Sequence, residues 1–189
     1  FFFKQKTAYD SSVTGVQTCA LPIYPPSINR SGVDFEVHQD ASGALSIRYA
    51  LSAVKGVGTG QAQALVALRA QTPFRNLGDF ARRLNPREVN KKVLESLVAA
   101  GAFDEFETNR ARVFAAIESV LAHANKAQDD LARGQSALFG ALEKDTDFKL
   151  PDAAGWTAAE RLKREFDAGG FFLSRSEEHT SELQSHLNL

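Results

Sequence analysis

Three glycines occupy every second position of the segment AVKGVGTGQAQAL, at Gly56, Gly58 and Gly60. Glycine lets the backbone bend tightly and lets a ligand come close to the main chain. The Ala- and Leu-rich residues that follow predict a helix, and the N–H groups of a helix's first turn have no partner inside the helix and attract anions. The segment therefore predicts a phosphate site, either for a nucleotide cofactor or for the backbone of a nucleic acid.

The spacing of the glycines favours a nucleic acid. A dinucleotide site needs G-x-G-x-x-G between a strand and a helix, but Gln61 stands in place of the third glycine and the Walker lysine pattern is absent. The helix–hairpin–helix pattern, in which Val57 would anchor the bend in the core, is matched at Leu51, Val54, Gly56, Val57, Gly58, Ala62 and Leu65. A tight turn that holds no ligand is the alternative. The predicted DNA-binding residues are Lys55, Gly56, Val57, Gly58, Thr59 and Gly60.

The sequence around this loop is basic. From Arg48 to Lys92 there are nine Lys and Arg residues against two acidic residues, Asp79 and Glu88, although the whole chain has a formal charge of −1. A local excess of positive charge predicts a surface that attracts a polyanion. The alternative is a basic face that is merely solvated.

A second motif, GQSALFG at 134–140, has the pattern Q-x-x-L-F. A short extended peptide of this kind can place Leu138 and Phe139 in a partner's apolar pocket while the amide of Gln135 makes polar contacts. The motif lies in a segment without periodicity, 134–155, which predicts a linker. In the alternative interpretation, Leu138 and Phe139 pack on their own domain.

The elements that would position these motifs follow from the hydrophobic pattern. Alternating apolar and polar residues predict two strands around a turn, and apolar residues at helical spacing predict helices after Asn76 and Asn90, which are candidate N-caps. Gly101 is expected to end the third helix, and Trp156, Ala159, Leu162 and Phe166 are expected to form the buried side of the last one. The predicted fold class is therefore mainly α with a small β-hairpin. The predicted strands are 34–38 and 44–49, and the predicted helices are 61–70, 77–84, 91–100, 108–131 and 156–167.

Both ends of the chain are interpreted as translated sequencing-adapter DNA. FFFKQKTAYD and VTGVQTCALPI within 1–23, and RSEEHTSELQS within 175–189, match such translations, and segments of this origin are excluded from reasoning about the fold. The single cysteine, Cys19, lies in the first of them. The remaining chain then offers no disulfide and no cysteine-based metal site, which fits a reducing cytoplasm. It also has no apolar run of about 18 residues, so no transmembrane helix is expected.

Taken in order, several stretches of 24–174 give the chain a recognisable signature. They are PPSINRS, IRYALSAVKGVG, VNKKVLESLVAAGAFD, NRARVFAAI, GQSALFG and GGFFLS. In this signature the chain resembles the alpha subunits of bacterial DNA polymerase III, the C-family replicative polymerases. The resemblance implies the end of a fingers region with a β-hairpin at 24–50, and a tandem helix–hairpin–helix domain at 51–133. A linker at 134–155 and a final helix that leads into an OB-fold at 156–174 would follow.

The resemblance also implies partners and roles. Lys55, Gly56, Val57 and Gly58 would belong to the hairpin that contacts duplex DNA. The peptide Gln135, Ser136, Ala137, Leu138 and Phe139 would bind the sliding clamp. The parent would be a cytoplasmic nucleotidyltransferase that uses Mg²⁺ and works with other holoenzyme subunits.

Catalysis is expected elsewhere in the parent. The family's catalytic carboxylates lie in a palm domain upstream, and 24–174 holds no paired acids in a motif for two metal ions. Asp129 and Asp130 fit the solvated end of a helix, so no catalytic residue or metal ligand is assigned. A second hairpin around Gly101 is degenerate and is expected to grip phosphate poorly. An error-prone polymerase of the same family and a stand-alone helix–hairpin–helix adaptor are the alternatives.

Overall fold

A computed structural model describes residues 21–39, 42–133, 148–170 and 172. In this part of the chain a small sheet is followed by helices, so the predicted mainly helical class is confirmed. The strands are β1 (Ile23–Tyr24), β2 (Glu36–Gln39) and β3 (Leu45–Arg48). The helices are α1 (Thr59–Ala70), α2 (Leu77–Arg83), α3 (Lys91–Ala100), α4 (Arg110–Ala115), α5 (Ile117–Ala132) and α6 (Ala158–Gly169). The predicted OB-fold strand at 171–174 lies outside the described residues except for position 172.

The sheet has the order β1–β3–β2. β2 and β3 form the predicted antiparallel hairpin, with Val37 opposite Ile47. β1 was not predicted: it pairs in parallel with β3, with Ile23 opposite Ile47. Two residues give too little alternation to mark a strand in the sequence, and Ile23 is the last residue of the segment interpreted as adapter-derived. The sheet leads through Leu51 directly into the glycine loop.

Asparagine caps define two of the helix starts, as predicted. The side chain of Asn76 accepts a hydrogen bond from the Asp79 N–H (2.8 Å), and that of Asn90 accepts one from the Val93 N–H (3.1 Å). Each cap satisfies an N–H group that has no partner inside the helix. At the other end of α3, Gly101 adopts the left-handed conformation (φ 90°), as the sequence predicts for a glycine that ends a helix.

The single long helix predicted over 108–131 is wrong. The chain forms α4 and α5, which are separated at Ala116 (φ −82°, ψ −7°). These angles lie near the bridge region between helix and strand, and the N–H of Ala116 reaches the oxygen of Val113 (3.1 Å) in a tightened turn. Ala116 is fully buried. The apolar spacing is the same on both sides of the break, so the pattern alone does not locate it.

The predicted buried side of α6 is wrong in part: Trp156 packs against the core and Leu162 is half-buried, but the other two residues are not buried. Ala159 is exposed and Phe166 is 48% exposed, whereas Glu165 and Ala168 are buried. The reason is an ion pair between Glu165 and the buried Arg110. A hydrophobic pattern assigns charged residues to the solvent side, and a buried charge pair reverses that assignment.

Three phenylalanines join the helices into one core. The ring of Phe80 on α2 packs edge-to-face against Phe74 (centroids 5.1 Å apart) and Phe103 (5.0 Å). This is the preferred geometry for aromatic pairs. Phe80 itself is fully buried. It therefore links the loop before α2 to the turn after α3.

We expect Phe80→Ala to lower the free energy of unfolding by about 3–5 kcal/mol, because it opens a cavity at the centre of this cluster. Phe166→Ala is the matched control. Since that side chain is about half exposed, its loss should cost less than about 1 kcal/mol. Urea denaturation of both variants measures the difference, and equal losses would contradict this description of the core.

Candidate nucleic-acid interface

The glycine loop forms an exposed bend, here called the first bend (residues 55–60). Its approach differs from the predicted motif in one respect. The residues before it do not form a helix but two consecutive turns, in which the Val54 N–H donates to Leu51 O (3.2 Å) and the Val57 N–H donates to Val54 O (3.0 Å). The Leu-to-Val spacing of the motif is satisfied equally well by these turns, since Leu51 and Val54 both point into the core.

Val57 anchors the first bend as predicted. Its side chain is buried (5% exposed) in the core that also holds Leu51 and Leu65. The neighbouring positions 55, 56, 58, 59 and 60 are all exposed. The bend thus projects its backbone outward around one inward-pointing residue.

Gly56 is required by the backbone. Its φ is +85°, a region that residues with a side chain rarely adopt, and a Cβ atom there would lie 3.4 Å from Ser96 Oγ on α3. Gly60 is different, because a Cβ atom would meet nothing within 4 Å. The fold therefore does not explain why position 60 has no side chain.

The first turn of α1 offers backbone donors. Gly58 is the N-cap in an extended conformation (φ −78°, ψ 160°), and Gln61 Oε1 already accepts its N–H (2.8 Å). The glutamine three residues after a cap is a signature that the sequence contained and that our prediction had not used. The next three N–H groups, of Thr59, Gly60 and Gln61, have no partner inside the helix. No hydrogen bond between the described residues uses them.

Several of the basic residues counted in the sequence are engaged inside the protein. The Arg69 guanidinium donates to Ile28 O (2.8 Å) and to Ser31 O, and burial lowers its pKa. Arg83 lies over the Phe74 ring (4.5 Å), donates to Leu68 O and pairs with Asp79 (3.4 Å). The predicted basic surface is therefore smaller than the sequence count suggests. The exposed cations of this stretch are Lys55, Arg75, Arg87, Lys91 and Lys92.

Lys91 contributes less than its exposure implies. Its Nζ lies 2.7 Å from Glu118 Oε1 on α5. The hydrogen bond to Glu118, together with that residue's charge, raises the pKa of Lys91 and lowers the pKa of Glu118. Because the two charges of this pair compensate each other, Lys91 adds little to the positive charge of the surface. Within the first bend itself, Lys55 is the one basic residue.

The second bend (residues 101–106) is closed. Gly101, Ala102 and Phe103 are buried, and the Ile28 N–H donates to Ala102 O (2.8 Å). A Cβ atom on Gly101 would collide with the Arg110 guanidinium and with Asp104 Oδ2 (2.8 Å). The two hairpins of the tandem pair therefore differ. The first bend exposes its backbone to solvent, whereas the second bend is buried inside the protein.

Acidic groups surround the helix start that follows the second bend. Glu107 Oε1 accepts the Asn109 N–H (2.9 Å), and Asn109 Oδ1 accepts the Ala111 N–H (3.1 Å). Arg112 is paired with Glu107 (2.8 Å). Since the first-turn donors already have oxygen partners, this position offers no place for a phosphate.

Comparison with known proteins agrees with this geometry. Residues 20–113 match the family model described as a helix-hairpin-helix motif. The chain is 38% identical over 155 residues to the DNA polymerase III subunit alpha of Caulobacter vibrioides, covering 82% of this chain and 13% of that protein. It is 37% identical over 163 residues to the Thermus aquaticus subunit, covering 86% and 13%.

The chain belongs to the DNA polymerase III alpha subunit family. The resemblance inferred from the sequence is thereby confirmed. The chain spans about 13% of the length of these alpha subunits. Within 21–39, 42–133, 148–170 and 172, no helix is long and apolar enough to cross a membrane, and no three His, Cys, Asp or Glu residues are grouped to hold a metal ion. The predicted clamp-binding peptide, 135–139, lies outside the described residues.

Opposite effects on stability are expected at Gly101 and Gly60. Gly101→Ala should lower the free energy of unfolding by about 1–3 kcal/mol, since alanine is strained at this φ and its Cβ would displace Arg110. Gly60→Ala should raise it by about 0.4–1 kcal/mol, because α1 then loses less chain entropy on folding. Urea denaturation of each variant tests both signs, and destabilisation by Gly60→Ala would contradict the free space found there.

Proposed function

We propose that this chain binds duplex DNA through the first bend, without regard to base sequence, as part of a DNA polymerase that copies the chromosome. The observation that carries the proposal is the first turn of α1. Thr59 and Gly60 are exposed, no hydrogen bond between the described residues uses the N–H groups of Thr59, Gly60 and Gln61, and position 60 leaves open space beside them. Oriented N–H groups at a helix start attract anions, and glycine allows a phosphate to come within hydrogen-bond distance.

The chemistry of the first bend favours backbone phosphates over bases. Base edges are read by side chains such as Arg, Asn and Gln that reach into a groove. The first bend instead presents main-chain donors, one hydroxyl at Thr59 and one ammonium at Lys55. Gln61, the amide side chain nearest to it, is held back by its hydrogen bond to the Gly58 N–H. Contacts of this kind hold the duplex in position and carry little sequence information.

In this proposal only the first bend binds DNA, and the second bend has a structural role. Its glycine lies under Arg110, and its helix start is satisfied by Asn109 and Glu107. A tandem unit of this kind makes its phosphate contacts through one bend. These contacts of Arg110, Asn109 and Glu107 are the physical reason to expect that the hairpin around Gly101 binds phosphate poorly.

Replacing Lys55 should weaken DNA binding and reduce its salt dependence. We expect Lys55→Gln to lower the slope of log K against log salt by about 0.9, because each phosphate contact releases condensed counterions. The loss should be the same for unrelated duplex sequences. Fluorescence anisotropy between 50 and 200 mM KCl measures it.

Two control variants sharpen this measurement. Lys126→Gln removes an equal charge from an exposed position on α5 and should leave the slope unchanged. Gly60→Ala should weaken binding while it stabilises the fold, which separates loss of the site from loss of structure. Affinity that is independent of salt, or a slope lowered equally by Lys126→Gln, would refute the proposed interface.

We also propose that the peptide Gln135, Ser136, Ala137, Leu138 and Phe139 docks on the sliding clamp. Its support is the Q-x-x-L-F pattern and the family to which the chain belongs. α5 ends at Ala132, only three residues before the peptide begins. DNA contact and clamp attachment would then both be supplied by this one segment of the polymerase.

Replacing both apolar residues of the peptide by alanine (Leu138→Ala with Phe139→Ala) should abolish capture of the chain by immobilised clamp, because such peptides bind through a few buried apolar anchors. The matched control replaces Leu131 and Phe166, which are exposed at 55% and 48%, and should leave capture intact. Unchanged capture by the peptide variant would disprove the docking proposal and leave the DNA proposal standing.

Polymerisation itself is proposed for the parent and not for this segment. The described residues contain no group of His, Cys, Asp or Glu placed to hold a metal ion, so they do not fit the Mg²⁺ that phosphoryl transfer uses. We accordingly assign nucleotidyl transfer, Mg²⁺ and contacts with other holoenzyme subunits to parts of the polymerase beyond this segment. The place of action would be the bacterial cytoplasm.

A further inference from the structure

The last helix, α6, connects the two bends. Near its middle, Glu165 pairs with Arg110, the residue that closes the second bend. At its end, the carbonyls of Ala168 and Gly169 accept hydrogen bonds from Lys55 and Tyr49, at and just before the first bend. None of the residues assigned to the DNA contact lies on this helix. Its contacts therefore need a separate explanation.

The pair of Glu165 and Arg110 fixes where α6 lies. Glu165 is fully buried and Arg110 is 5% exposed, with Arg110 Nη1 3.3 Å from Glu165 Oε1. Arg110 also binds Asp104 (2.7 Å) and donates to Ala99 O (3.0 Å). Burial alone would lower the pKa of Arg110, but hydrogen bonds and the charges of Asp104 and Glu165 outweigh it and raise the pKa. A buried carboxylate is strongly unfavourable without its cation, so α6 cannot shift relative to α4, which begins with Arg110, without separating the pair.

The end of α6 holds the first bend from behind. Ala168 follows Glu165 by three residues, so both lie on the same face of the helix. Its carbonyl oxygen accepts the backbone N–H of Lys55 at 2.7 Å. The Tyr49 hydroxyl donates to Gly169 O at 2.8 Å and lies 3.3 Å from Ala53 O. Carbonyls at a helix end have no partner inside the helix, and here they fix the residue that carries the only cation of the first bend.

We propose that Glu165 is a positioning residue for DNA binding. Its pair with Arg110 sets the position of α6, and the end of α6 sets the orientation of Lys55 at the first bend. This inference rests on the proposed function. It adds that a residue with no access to DNA controls the geometry of the phosphate contact through one helix.

The test uses the full 189-residue chain and four variants. Glu165→Gln removes the buried charge and keeps the side chain's shape. Tyr49→Phe removes the second contact with α6 and leaves the ion pair intact. Glu160→Gln is the matched control, since it makes the same chemical change on α6 at an exposed pair with Arg164. Lys55→Gln supplies the reference for loss of the phosphate contact itself.

Two quantities are measured for each variant. Hydrogen exchange of the Lys55 backbone amide, followed by NMR, should accelerate about tenfold in Glu165→Gln and in Tyr49→Phe, as expected for the loss of one supported hydrogen bond. Duplex affinity should fall about three- to tenfold, and the salt slope should decrease toward the value of Lys55→Gln. Glu160→Gln should match the unmodified chain in both. A role limited to stability would change neither the salt slope nor exchange at Lys55 selectively.

The outcomes separate this inference from the function on which it rests. If the unmodified chain does not bind duplex DNA, the proposed function fails. If it binds, but Glu165→Gln leaves the Lys55 amide or the salt slope unchanged, the positioning role is wrong and the DNA site stands. If Glu165→Gln does not fold, Tyr49→Phe decides by itself: unchanged exchange and affinity in that variant overturn the inference.

Discussion

The buried guanidinium of Arg110 is the group on which the arrangement of this chain depends. It lies over Gly101, which must lack a side chain to admit it, and it binds Asp104 beside the second bend. It also pairs with Glu165 in the interior and thereby fixes the position of α6, which packs against α3. A buried pair of this kind adds little stability compared with an apolar packing of the same volume. What the pair fixes is the orientation of α6, because each buried charge is stable only in contact with the other.

The two bends illustrate how one motif can serve two purposes. Both consist of a turn with a left-handed glycine, at Gly56 and at Gly101. The end of α6 lies behind the first bend. Its Ala168 carbonyl accepts the Lys55 N–H from the inner side, so the outer side of the bend stays open. The second bend is instead covered by the side chain of Arg110. The difference comes from what packs against each bend and not from the turns themselves.

Much of the local structure could be predicted from the sequence because its causes are local. A cap at Asn90, a left-handed glycine at Gly101 and an inward Val57 each depend on neighbours within a few residues. Two of the features that were missed depend on distant residues. β1 becomes a strand only because β3 lies beside it, and Glu165 is buried only because Arg110, 55 residues earlier, is there to meet it. The Gln61 contact with Gly58 is an exception, since its spacing was visible in the sequence.

The distance along the chain between the first bend and its support also affects the order of events during synthesis. Tyr49 and Gly169, which form one of the two contacts behind the bend, are 120 residues apart. At roughly 5–20 residues per second, a ribosome needs on the order of 6–24 s to travel between them. During that interval the nascent bend has its glycines and its buried valine but lacks the carbonyls of α6. The first bend therefore gains its support only when α6 has been made, after the other helices of this segment.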